Sequence, residues 1–359
     1  MRAAPNAGAW VPEKTTMRDV ARAAAVSITT VSRVINGDPY VAEETSQRVR
    51  DAIERLDYRI NPMARSLRTG SDEAVGLVVE SIGDPFFAAV IDAVEEAARA
   101  AGLFLLIASA GETAEQERAV VTGLLNRSVR GMLIVPCHLA YRTERLPIGP
   151  NGVPVVFIDR PAGIEADTVM IDNAANARMA TEHLIAHRHR RIGFAGTEVS
   201  RYPVSERLAG FRAALEDRGL EFSPLDVVDL HHRGHETDTN LLDAVLAPPD
   251  PVTAIITANA TASQAIVREM HRIGRTDVAV VSFDDFPMAD ALDPAITVAL
   301  QDPVEMGTRA FELLLERIRG DEGPPNRLVL PTTFIERGSG ELAPFDQPDD
   351  QPEPTTTGA

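Results

Sequence analysis

Cysteine is almost missing from this chain. Cys137 is the only one in 359 residues, so neither a disulfide framework nor a cysteine-cluster metal site can form. Lysine is equally scarce, with Lys14 alone among basic side chains that are otherwise arginine. No apolar run approaches the roughly 20 residues a membrane helix needs, and Met1 to Val11 lacks the apolar core of a signal peptide. GxGxxG behind a strand and GxxxxGK are both absent, which removes the common phosphate-cradling signatures. HExxH and GxSxG are absent too. Together these gaps predict a cytoplasmic chain with no membrane partner, no metal and no cofactor.

What is present has globular character. Hydrophobic residues make up 44% and charged residues 25%, enough for a packed core. The length predicts two or three domains. Net charge is −18, from 35 Lys+Arg against 53 Asp+Glu, which excludes a chain that coats nucleic acid along its whole surface. One basic module remains open. Residues 1–14 read as a disordered lead-in. Residues 341–359, with Pro344, Pro348, Pro352 and Pro354 among Asp and Thr, read as a disordered tail. The tail has no leucine heptad, so a dimer is expected, without a helical tetramer at its end.

Two textures lie between these ends. Residues 15–70 form short helical patterns with several Arg. From Ala74 onward, strand-like runs alternate with helical stretches. The runs are Val75 to Val79, Leu103 to Ile107, Gly131 to Val135, Pro154 to Ile158, Arg191 to Phe194, Thr253 to Ile256 and Val278 to Ser282. Short apolar strands with helices between them indicate parallel sheets covered on both faces. The stretch is long enough for two such sheets rather than one.

In the first texture, Thr16 is an N-cap with Asp19 in the positive first turn. Met17, Val20, Ala21 and Ala24 share a helical face. Val26 falls at a tight break, Ser27 is a second N-cap, and Val31 and Val34 continue the apolar face. Asn36-Gly37 suits a helix stop. A third helix turns Val49, Ile53 and Leu56 inward. By pattern alone, a helix-turn-helix and a generic three-helix bundle fit equally well.

The run Met17-Arg-Asp-Val-Ala-Arg-Ala-Ala-Ala-Val-Ser-Ile-Thr-Thr-Val-Ser-Arg-Val-Ile-Asn36 resembles the N-terminal signature of the lactose/galactose-repressor (LacI/GalR) family. Asn61-Pro-Met-Ala-Arg-Ser-Leu-Arg68 resembles that family's hinge. The alternating region resembles its two-lobed, periplasmic-binding-protein-like effector domain, through Leu330-Pro-Thr-Thr-Phe-Ile-Glu-Arg337. The resemblance covers roughly residues 15–340. It implies a helix-turn-helix DNA-binding domain at 15–60, a hinge helix at 61–70 and an α/β effector and dimerisation domain at 71–340. Charge agrees: Thr16 to Gly70 holds nine Arg against seven acids, in a chain that is otherwise strongly acidic. A transcriptional repressor follows, with double-stranded operator DNA, a small effector and a second copy of the chain as partners.

The second helix should enter the major groove. Its first turn, Ile28, Thr29 and Thr30, would face base edges, where Ile28 can pack on a thymine methyl and Thr29 can hydrogen-bond. Arg33, one turn on, can pair with guanine. Thr16, Ser27, Ser32 and Asn36 suit the phosphates. The family usually has a serine cap where Ala42 stands here, a departure that weakens the third helix. Asn61 and Pro62 suit a helix start, but the helix to Arg68 is too short to hold alone in water. By resemblance, two hinge helices pair in the minor groove, Leu67 wedges between bases, and Ala64, Arg65 and Arg68 lie against the backbone. An ordinary linker is the alternative.

In open parallel sheets, ligands bind beyond the carboxyl ends of the strands. Asp84 with Phe86 and Phe87, Asp159 with Arg160, Asn259, and Asp284 with Asp285 all follow strand runs. Carboxylates, an amide and aromatic walls suit a sugar or related polyol or nucleoside. Resemblance adds Arg207 as the arginine that grips the effector, and matches Asp159, Asn259, Asp284 and Gln301 to pocket positions. A helix cap or loop anchor is the competing role for each strand-end Asp. The family usually has Asn-Asp where this chain has Asn259-Ala260, a departure at one corner of the pocket.

Other chemistry has thinner support. His231-His232-x-x-His235, with His187 and His189, carries no accompanying metal signature. Cys137 ends an apolar strand, where a buried inert thiol is expected. The sequence therefore predicts no enzyme. A stand-alone sugar-binding receptor is the alternative to a regulator.

Overall fold

The computed structural model describes residues 15–35, 38–58, 73–111, 113–137, 141, 146–149, 152–230, 232–233, 236–237, 242, 245–247 and 250–345. The expected lead-in, Asn36, the hinge helix with Ala64, Arg65, Leu67 and Arg68, His231, His235 and the last part of the tail lie outside them. The chain divides into two compact units, Met1–Asp72 and Glu73–Ala359.

In the first unit, α1 (Met17–Ala23), α2 (Ile28–Ile35) and α3 (Glu43–Arg55) enclose a small core of Val20, Ala21, Ala24, Val31, Val49 and Ala52. The caps explain the boundaries. The Asp19 carboxylate accepts from the Thr16 backbone N–H at 3.0 Å and hydroxyl at 2.6 Å, and the hydroxyl bond is the main cause that holds its pKa below the usual range. Between α1 and α2, Ala25 takes φ 54°, Val26 N–H returns to Ala21 C=O at 3.0 Å, and the chain leaves α1 through a Schellman turn. Ser27 Oγ then accepts the Thr30 N–H at 3.0 Å and opens α2. No side chain caps α3, because Ala42 has no acceptor to offer.

The second unit holds two sheets. The first has the order β13-β5-β4-β3-β1-β2, built from β1 (Ala74–Val79), β2 (Phe104–Ser109), β3 (Met132–Ile134), β4 (Val155–Ile158), β5 (Asp167–Ile171) and β13 (Arg327–Leu330). The second has the order β14-β12-β11-β10-β6-β7, built from β6 (Ile192–Thr197), β7 (Val227–Leu230), β10 (Ala254–Thr257), β11 (Ala279–Phe283), β12 (Thr297–Gln301) and β14 (Thr332–Ile335). Every pairing is parallel except β12 with β14. A separate hairpin joins β8 (His232–Arg233) and β9 (Glu236–Thr237).

All the strand runs expected from the sequence are strands, including one that had looked buried and is not. β2 is an edge strand, and Phe104 is 72% exposed. Helices α4 (Pro85–Ala100) and α9 (Pro303–Ile318) pack with the first sheet, through Val90, Val94, Phe311 and Leu314. Helices α6 (Asn173–Ala186) and α7 (Tyr202–Asp217) cover one face of the second sheet and α8 (Ala260–Ile273) the other. The remaining helix, α5 (Ala114–Leu125), closes the other face of the first sheet.

The chain passes between the two lobes three times, from β5 into α6, from β12 into α9 and from β13 into β14. Asp172 and Asp302 cap the helices that follow the first two crossings. Past the second lobe, order continues beyond the boundary expected at 340. Glu341 accepts from the Thr297 hydroxyl and the Gly338 N–H, Leu342 C=O meets His189 Nε2 at 2.8 Å, and Arg275 stacks over Phe345. The tail expected to start at 341 is therefore packed through Phe345.

Supplying the missing cap should tighten the first unit. Ala42→Ser is expected to add about 1 kcal/mol to α3. Amide hydrogen exchange across the first turn of α3 should slow about fivefold, with protection in the second unit unchanged.

Candidate functional site

In the first unit, α2 presents one face outward. Ile28, Thr29 and Arg33 are exposed, while Val31 points into the core. Thr29 and Arg33 are one turn apart and share that face. Arg33 is paired only loosely, with Asp38 at 3.7 Å. Thr30 is placed differently from Ile28 and Thr29. Its hydroxyl lies 2.9 Å from Ser27 Oγ, within the cap that starts the helix. Thr16 and Ser27 are exposed at the helix starts, and Ser32 is half-buried.

In the second unit, a cavity of about 930 Å³ opens between the lobes at the carboxyl ends of β1, β4, β6, β10, β11 and β12. All the residues expected to bind an effector line it: Asp84, Phe86, Phe87, Asp159, Arg207, Asn259, Asp284 and Gln301. They are not alike in what they have left to offer. Asn259 caps α8 with its Oδ1 on the Ala262 N–H at 2.8 Å, and its Nδ2 donates to Thr197 Oγ1 at 2.8 Å. Asp84 caps α4 through the Phe86 N–H at 2.8 Å. Phe87 belongs to the core of the first lobe, and Phe86 meets it edge-on at 5.1 Å. Asp159, at φ 71°, accepts from Arg160 Nε at 2.9 Å. For Asp84 and Asp159, the structural role named as the alternative is present alongside the cavity position, and Asn259 is a helix cap as well.

Arg207, Asp284 and Gln301 make the deep end. Arg207 is 2% exposed. Its Nε donates to Asn173 Oδ1 at 2.8 Å, one terminal nitrogen donates to Ala258 C=O, and its Cζ stands 4.4 Å from the Phe283 ring centroid. The Asp284 carboxylate is 3.8 Å away, at the limit of an ion pair. Gly210 makes this approach practicable. A Cβ there would come within 2.1 Å of Ala174 C=O, so only glycine lets α7 come close enough to α6 for Arg207 to reach Asn173. Three buried polar atoms in this group lack any partner: Asp284 Oδ1, Gln301 Oε1 and Asn173 Nδ2.

The electrostatics follow from burial. Desolvation raises the Asp284 pKa to about 6, Asp84 and Asp159 add to the rise, and Arg207 and the Gln301 amide oppose it. Burial likewise raises Asp84 and lowers Arg207 from their ordinary values. At the mouth, Glu80 accepts from Arg160 at 3.1 Å with one oxygen and from Arg201 with the other. Burial opposes the Arg160 charge, but Asp159 and Glu80 more than offset that and hold its pKa above the arginine norm. Glu80, Arg201 and Asn173 were not singled out from the sequence, and Arg160 was noted only as the neighbour of Asp159 at a strand end. The pairings that define them span from 34 to 121 positions.

Other candidates resolve into structure. His189 is buried between Thr253 Oγ1 and Leu342 C=O, each at 2.8 Å, and burial lowers its pKa. Cys137 is partly buried, donates to Val135 C=O at 3.2 Å, and burial drives its pKa up, away from thiolate character. Among the described residues no group of three His, Cys, Asp or Glu could hold a metal ion, and no helix is long and apolar enough to cross a membrane.

Residues 16–61 match the model for bacterial regulatory proteins of the lacI family, and residues 181–340 match a periplasmic binding protein-like domain. The HTH-type transcriptional regulator PtxS of Pseudomonas putida is 33% identical over 342 residues, covering 93% of this chain and 98% of the relative. The HTH-type transcriptional repressor PurR of Vibrio parahaemolyticus is 31% identical over 313 residues, covering 86% and 93%. A solved complex of the regulator CelR with cellobiose superposes with a TM-score of 0.62 at 30% identity, covering 91% of this chain and 100% of that one. The chain belongs to the LacI family. As in that family's architecture, a helical DNA-binding module precedes a two-sheet α/β domain, and the family is one of transcriptional regulators.

The LacI-family cleft offers a direct electrostatic check. Carboxyl-labelled aspartate followed by NMR should show Asp284 titrating near pH 6. Arg207→Met removes the main charge that favours the carboxylate. The Asp284 titration should then move to higher pH. No movement would mean that the 3.8 Å pair carries no coupling.

Proposed function

We propose that this protein is a sequence-specific DNA-binding repressor of the cytoplasm. In this reading it acts as a homodimer on a near-palindromic operator, and a small polyhydroxylated molecule in the cleft sets its operator affinity. One observation carries the reading. Asp284 Oδ1 and Gln301 Oε1, two buried acceptors without donors, face one cavity beside a buried arginine. Unpaired buried acceptors are costly, on the order of 1–3 kcal/mol each, and a ligand that brings donors recovers that loss. Hydroxyl groups are such donors, and the remaining terminal nitrogen of Arg207 can meet a ligand oxygen. The cellobiose in the CelR complex, a neutral sugar held by a similar fold, points to the same class.

The DNA side rests on α2. Ile28, Thr29 and Arg33 suit base edges, and Thr16, Ser27, Thr30, Ser32 and Asn36 suit the backbone or the cap that orients the helix. The hinge residues Ala64, Arg65, Leu67 and Arg68 complete the operator contact in the minor groove. Control follows from the three crossings. A ligand that prefers one arrangement of the lobes shifts the dimer toward it, and it can change DNA affinity only by that preference. No step of this cycle makes or breaks a covalent bond, so the reading requires no enzyme, cofactor or metal.

Two measurements test it. Operator affinity, determined with and without the sugar found by a thermal-shift screen, should change in the wild type. It should stay fixed at the same ligand concentration in Arg207→Ala and Asp284→Ala, with ligand-free binding retained. A response in both variants would place the effector elsewhere. Separately, Leu67→Ala should weaken specific binding at least about tenfold while salt-dependent binding to random DNA persists. Unchanged operator affinity would remove the wedge from the mechanism.

A further inference from the structure

The mouth of the cleft contains an arrangement that the deep end of the site does not explain. Two guanidinium groups converge there on one carboxylate. Arg160 follows β4 in the first lobe, and Arg201 stands at the N-cap position of α7 in the second. Their terminal nitrogens reach opposite oxygens of Glu80, at the end of β1. Arg160 is 7% exposed and is also held by Asp159, with 2.8 Å between its terminal nitrogen and Asp159 Oδ2. Arg201 has its Nε on the more exposed Glu198. All five side chains line the cavity.

Two arginines that aim at one point from two elements are the usual protein receptor for an oxyanion, because their planar donors match carboxylate and phosphate oxygens. Here that point is already taken by the chain's own carboxylate. We infer that Glu80 is a specificity-determining residue of the cleft: it fills the oxyanion position between Arg160 and Arg201 and so excludes phosphorylated or carboxylated ligands in favour of neutral, hydroxyl-bearing ones.

The inference rests on reading the cleft as the effector site, and it adds a restriction on charge. An incoming phosphate must displace Glu80 from both arginines and leave that carboxylate in a site already bordered by Asp84 and Asp159. A neutral polyol meets no such competition, because its donors go to Asp284 and Gln301 at the other end. Rejection by an unfavourable like charge is a common route to selectivity.

Glu80→Gln tests this with inorganic phosphate as the probe, measured by calorimetric titration of the full chain against potassium chloride at matched ionic strength. The variant keeps the shape of the side chain and removes the competing charge. It should bind phosphate at least about tenfold more tightly than the wild type. The Glu80→Gln, Arg201→Gln double variant should lose that gain. Glu80→Ala, which opens the same position by a different route, should show the gain as well, and circular dichroism checks that each variant is folded. The idea is overturned if the wild type itself binds phosphate as tightly as the variants do. It is equally overturned if folded Glu80→Gln gains nothing, or if the gain survives loss of Arg201. The wild-type titration decides even where a variant fails to fold. Because these titrations contain no DNA, their failure leaves the operator result standing, and failure of operator binding leaves the phosphate result standing.

Discussion

A guanidinium buried to 2% exposure organises the second unit. Removing such a charge from water carries a penalty of several kcal/mol unless hydrogen bonds and counter-charges replace the lost solvent. Arg207 receives a carbonyl, an amide oxygen and an aromatic face, but its carboxylate partner stays 3.8 Å away. The surrounding packing serves this placement. Gly210 brings α7 against α6, Asn173 opens α6 immediately after the first lobe crossing, and Asp284 and Gln301 end adjacent strands of one sheet. The site is held by packing and hydrogen bonds and is itself incomplete in hydrogen bonding, which is the condition a binding cleft needs.

The helix-turn-helix was legible almost residue by residue because its determinants are local. Caps act over three or four positions, and the buried pairs Val20 with Ala24 and Val49 with Ala52 stand at helical spacing. The central strands of both sheets were legible as apolar runs for the same reason. Strands that open on polar residues were not. β5 opens on Asp167 and Thr168, whose polar side chains hide the pattern, yet Asp167 is buried and held by Arg317 at 2.7 Å. β2 looks like a core strand in sequence, but only one neighbour pairs with it.

The cleft was legible in part. Strand-end polar residues were identified, and all but Asp285, which is held by Arg337, line the cavity. Their spare capacity was not readable, because it depends on partners that folding supplies. Asn259 spends both ends of its amide on the cap and on Thr197, whereas Gln301 keeps an oxygen free. Glu80 illustrates the limit. An acid at the end of an apolar strand looks like any solvated charge until Arg201, from the other lobe, arrives beside it.

The three lobe crossings also govern the order in which the chain can fold as it is made. The first lobe begins at β1, yet its core includes Met306, Ala310, Phe311 and Leu314 of α9 and Leu330 of β13. Those residues leave the ribosome only after nearly all of the second lobe. Until then, the part of the sheet face that α9 covers, at β3, β4 and β5, has no partner, and the side chains there, Leu133, Val156, Ile158, Val169 and Ile171, are apolar. The small N-terminal unit has a core of its own and can form early. A nascent chain therefore carries a finished DNA-binding head and a half-covered sheet together for most of its synthesis, the interval in which exposed apolar surface is most prone to aggregation.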